Sequence, residues 1–82
     1  MSLNTAIDKA ILSQLHEAFP GSVQNSKDIF PTHDNRKEIM DYLFDFHENA
    51  WVTFIDLSTS GGKDCSRIKI TRRGIEYLNG LK

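Results

Sequence analysis

The chain is 82 residues long, 39% hydrophobic and 26% charged, with a net charge of −1. That length makes one domain, residues 1–82, with room for one core, and no apolar run approaches the ~20 residues of a membrane-spanning helix. The charge is unevenly spread: residues 1–59 carry −5 and residues 60–82 carry +4, so the last third offers a local basic patch to a polyanion while the rest of the chain repels phosphate.

The chain start lacks a basic head followed by an apolar block, which predicts no secretory leader and a cytoplasmic protein. Cys65 is the single cysteine. It excludes an internal disulfide and fits a reducing compartment.

Residues 5–18 read as an amphipathic helix. Ile7, Ile11, Leu15 and Ala18 recur at helical spacing, with Leu12 and Phe19 widening the stripe. Asn4 or Thr5 can cap it, Asp8 suits the first turn, and Pro20-Gly21 ends it. Residues 21–34 carry weaker signals. Ser26 can cap a short helical turn holding Ile29 and Phe30 and stopped by Pro31. The same residues also fit a loop pinned to the core by Val23, Ile29 and Phe30.

Residues 35–49 give the strongest helical pattern. Asn35 with Glu38 three residues on resembles a capping box. Ile39, Leu43 and Phe46 form one stripe, and Met40, Tyr42 and Phe44 spread apolar surface round the cylinder. Asn49 is expected to take the left-handed conformation that ends the helix. Trp51–Leu57 is rich in β-branched and aromatic residues, and Arg67–Ile70 alternates charged and apolar. A polar segment with Gly61-Gly62 separates them, which predicts an antiparallel hairpin. On its second strand Ile68 and Ile70 should face the core, and Arg67 and Lys69 solvent. Thr71 then caps a last helix over 72–80, packed through Ile75 and Leu78.

Helix, short helical turn, helix, two-stranded hairpin and terminal helix is an α+β order that resembles the winged helix-turn-helix superfamily. Phe46-His47-Glu48-Asn49-Ala50-Trp51-Val52 resembles that family's exit from its recognition helix. Ile70-Thr71-Arg72-Arg73-Gly74-Ile75-Glu76-Tyr77-Leu78 is similar to its return strand and last helix, in which Thr caps and Gly permits close packing. The family often has Gly where this chain has Ala50. The resemblance implies three helical segments before the hairpin wing, the middle one short, and duplex DNA as partner. Many of its members bind DNA as dimers; others have become protein-interaction modules.

On that reading Asn35, Arg36 and Lys37 are the base-contacting set, at the nose of the recognition helix. Lys63, Arg67, Lys69, Arg72 and Arg73 are the backbone-contacting set. The bland alternatives are a helix cap with surface residues, and a solvated strand face that discourages edge pairing. Asp34, Glu38, Asp41, Asp45 and Glu48 weigh against DNA because they follow along the same helix. The competing function is therefore an acidic interaction module that never touches DNA.

Tyr42, Phe44, Phe46, Trp51 and Phe54 crowd a short stretch. Aromatics in excess of one small core predict a homodimer or partner surface, with Tyr42, Phe44, Trp51 and Tyr77 as its candidates. His16, His33 and His47 are scattered and form no ligand pair, so no metal is expected. Gly61-Gly62-Lys63 lacks the upstream glycine of a phosphate-binding loop, and Asp64 stands where Ser or Thr belongs. No spacing favours a catalytic triad, and the chain has little volume for a substrate pocket. No enzyme activity, small-molecule substrate or cofactor is expected.

Overall fold

In the computed structural model the described residues are 5–81. The chain runs α1 (Thr5–Ala18), β1 (Val23–Asn25), a 3-10 turn (Ser26–Asp28), α2 (Arg36–Glu48), β2 (Val52–Asp56), β3 (Cys65–Ile70) and α3 (Arg72–Gly80). The class is α+β, with an antiparallel sheet in the order β1-β3-β2. Two expectations need correction. The sheet has three strands, because Val23 and Asn25 pair with Ile68 and Ser66. The middle helical segment is only a three-residue 3-10 turn.

One core joins the layers. Ile11, Leu12 and Leu15 of α1 meet Ile39, Leu43 and Phe46 of α2, with Ile68 and Ile70 of β3 and Leu78 of α3. Phe19 does not complete the stripe of α1; it is 42% exposed. The expected capping of α1 by Asn4 or Thr5 lies outside the described residues or rests on a side chain of which nothing is described.

Helix α2 starts as its sequence predicts: the Asn35 side chain accepts from the Glu38 N–H at 3.1 Å. The Glu38 carboxylate, however, turns to His33 at 3.0 Å rather than back to the cap. At the other end Asn49 stays right-handed (φ −85°) and Ala50 takes the left-handed position (φ 62°). Asn49 is held there by its side-chain N–H, which donates to the Asp45 carbonyl at 2.9 Å. The left-handed turn therefore falls on a residue with a Cβ, which costs about 1–2 kcal/mol relative to a right-handed turn.

The hairpin pairs Val52 with Ile70 and Asp56 with Cys65. Between them Thr53 faces Lys69 and Ile55 faces Ser66, so Phe54 spans two residues and Arg67 bulges with φ 51°. The bulge shifts the alternation, so Cys65 joins Ile68 and Ile70 in the core. The segment between the strands is not loose. Thr59 and Gly62 exchange main-chain bonds at 3.0 Å, Gly62 supplies the positive φ of 137°, and the Asp56 carboxylate accepts from the Ser58 N–H.

Thr71 joins the sheet to α3. Its hydroxyl donates to the Ala50 carbonyl at 2.6 Å and accepts from the Gly74 N–H at 3.1 Å. A Cβ on Gly74 would lie 2.2 Å from the Trp51 carbonyl oxygen and 2.7 Å from Ile70. Both residues thus do what their place in the Ile-Thr-x-x-Gly pattern implies: one caps, the other lets helix and strand meet.

Candidate nucleic-acid interface

The nose of α2 and the tip of the hairpin come together. Arg36, Lys37, Met40 and Asp41 form one wall of an open groove of about 550 Å³, and Gly61, Gly62 and Lys63 form the other. Long-range folding brings these cations close; in sequence they stand far apart. The tip is clasped to the helix by Lys63, whose ammonium lies 3.1 Å from the Asp41 carboxylate and 5.4 Å from the Phe44 ring centre. Both members of that ion pair are about half exposed, which keeps its contribution below about 1 kcal/mol.

Arg36 is not available to a base. Its guanidinium donates to the carbonyls of Phe30 (3.1 Å), His33 (3.2 Å), Ser26 (3.5 Å) and Ile29. These carbonyls belong to the segment that lacks a full helix, so the arginine supplies the donors that helical N–H groups would otherwise give. Its place at the helix nose is what suggests a contact with DNA. Its true partners depend on the path of residues 26–33, which no local pattern encodes. Asn35 is exposed with its oxygen committed to the cap, and Lys37 is exposed with no ion-pair partner among the described residues.

The remaining cations do not gather at the groove. Arg67 is exposed on the bulge. Lys69 is half-buried, with its ammonium 5.7 Å from the Phe19 ring centre. Arg72 and Arg73 stand at the opposite end of β3 from the hairpin tip, roughly 20 Å away at a strand's rise per residue. They occupy the first turn of α3, which has no acidic residue. Cations there oppose the helix dipole, and no salt-bridge partner for either lies among the described residues.

The aromatic surplus is largely consumed inside the fold. Tyr42 is 6% exposed and belongs to the core, so it is withdrawn from the candidate partner surface. Trp51 stacks on Tyr77 with ring centres 3.8 Å apart and planes 13° from parallel. Phe44 packs on Phe54 at 4.9 Å. Among the described residues the large apolar side chains that do face solvent are Phe19, Ile55 and Leu57. By strand alternation Ile55 and Leu57 share the face opposite Val52 and Phe54.

Asp8 is the buried acid. It is 2% exposed, one carboxylate oxygen accepts from the Tyr77 hydroxyl at 3.1 Å, and the other has no hydrogen-bond partner. Burial raises its pKa, partly offset by the Tyr77 bond, and Asp45 adds to the rise. Cys65 is buried too, and its thiol is pushed up to about 12 by burial and by Asp64 and Asp56. Such a thiol is a poor nucleophile. Among the described residues no cluster of His, Cys, Asp and Glu could hold a metal ion, and no helix is long and apolar enough to cross a membrane.

Taken by fold and surface, the chain is a small α+β domain with a mixed-charge groove between α2 and the hairpin tip and a basic, partly apolar sheet side. Comparison with protein-family models, curated proteins and solved structures finds no match.

Proposed function

We propose that the chain is a winged-helix domain that contacts duplex DNA with the start of α2 and its basic hairpin wing. The observation that carries this reading is the groove lined by Lys37 on the helix and Lys63 on the hairpin tip. The element order and the roles of Thr71 and Gly74 support the fold half of the reading. Lys37 and Asn35 lie at the helix nose, and Lys63 and Arg67 contact phosphates. Arg72 and Arg73 reach only a duplex that runs the length of the hairpin.

A second reading, an interaction module without DNA, is favoured by one specific feature. Lys37, Asp41 and Glu48 share an exposed stripe of α2, and two carboxylates to one lysine repel phosphate.

Fluorescence anisotropy on a random-sequence duplex at about 50 mM and about 200 mM salt separates the two, since log K falls by about 0.9 per phosphate neutralised. Lys37→Glu with Arg67→Glu is expected to weaken binding to every sequence alike. No binding at the lower salt, or an affinity untouched by the charge reversal, transfers the assignment to the interaction module.

A further inference from the structure

We propose that β2 pairs, antiparallel, with β2 of a second copy of this chain, with Ile55 on the two-fold axis. The proposal does not depend on DNA binding. It starts from the sheet order, which among the described residues leaves one side of β2 without a neighbouring strand. The Trp51 carbonyl accepts from the Thr71 N–H, and the Leu57 N–H donates to the Asp64 carbonyl, both at 2.9 Å. The odd-numbered residues therefore turn their main-chain groups inward. By the alternation of an antiparallel ladder, Phe54 and Asp56 turn theirs to the open edge. Val52 is closed off at 1% exposure, so the second half of the strand is the usable part.

That half carries the usual signs of a strand that pairs. Ile55 and Leu57 are 47% and 48% exposed on the outward face. Natural edges are blunted by lysine, proline or a bulge. Residues 52–57 hold no lysine, proline or glycine, and the bulge lies in β3 instead.

The register selects the occupant. Centred on Ile55, the Phe54 main chain bonds to Asp56 of the second copy and the reverse. Ile55 meets its own copy at the close spacing of a non-hydrogen-bonded pair, and Leu57 meets Thr53. Each residue brought together on the outward face is exposed in the single chain. The one electrostatic cost is Asp56, which approaches its copy diagonally on the opposite face. An edge this short buries less than the ~1,200 Å² of a standard interface, so the association is weak and concentration-dependent.

Sedimentation equilibrium without nucleic acid, from tens of micromolar to about a millimolar, tests the pairing. The mass should climb from 9.4 kDa toward twice that value. Ile55→Lys should stay monomeric throughout, with Leu57→Lys as the second variant should the first fail to fold. Asp56→Asn keeps an acceptor for the Ser58 N–H and should associate several-fold more tightly. Amide exchange at Phe54 and Asp56 should slow with concentration in the parent only. A parent that stays at 9.4 kDa, an unimpaired dimer in the folded lysine variant, a looser Asp56→Asn dimer, or a dimer with unchanged exchange at those two amides overturns the proposal.

Discussion

Asp8 sits in surroundings that disfavour its charge. At the helix start a carboxylate helps the dipole, and that was the role its position in the sequence implied. Folding instead buries it against Tyr77, 69 residues away, with one oxygen unpartnered. The folded-state pKa is raised above the ordinary value of 3.8. The folded chain therefore keeps a proton that the unfolded chain releases between those two values. This contribution to stability is fully present below about pH 3.8 and is lost as pH rises through the folded value. Asp8→Asn keeps an acceptor for Tyr77 and removes the charge. Urea melts across pH 4 to 8 should show the variant more stable than the parent at neutral pH, with a flatter dependence. A variant less stable than the parent at pH 7 would show that the charge is compensated by another group.

At the scale of elements, the junction of hairpin and α3 is the tightest fit. Gly74→Ala places a Cβ within 2.2 Å of a main-chain oxygen, which cannot swing away as a side-chain end would. The expected loss is about 3 kcal/mol or more, measured as a lower urea midpoint. Equal midpoints would mean that helix and strand separate at little cost. The elements legible in the sequence were those with local punctuation. Caps at Asn35 and Thr71 and the apolar periods of α1 and α2 fixed the helices closely. Strand β1 was not legible because Val23-Gln24-Asn25 is a strand only by virtue of the ladder that β3 offers it. The positive φ of Arg67 and Ala50 was invisible for the same reason: neither residue type announces it, and the tertiary contacts on both sides impose it. At the candidate site, the shared groove of Lys37 and Lys63 was legible only as two separate cation sets. The internal use of Arg36 was not legible at all.

Across the whole molecule, Cys65 sits where strand, turn and hairpin meet, 2% exposed. The Asp64 carboxylate accepts from the Cys65 N–H at 2.8 Å and from the Ser26 hydroxyl at 3.0 Å. With its thiol pushed up to about 12, little thiolate forms in the folded chain at pH 8. Modification by an aromatic disulfide reagent should therefore proceed only through opening, and its rate should track global stability across the Asp8 and Gly74 variants. Rapid labelling of the native chain would mean that this corner opens by itself. The opposite corner of the fold has an optical consequence. Trp51 is the only tryptophan, and it lies face to face with Tyr77, whose hydroxyl holds Asp8 on the first helix. Light absorbed by that tyrosine passes readily to the indole at such a distance, and drawing the last helix away from the start of β2 interrupts the transfer. The chain thus carries its own unlabelled gauge of how the last helix seats against the hairpin, built from residues that do not line the groove.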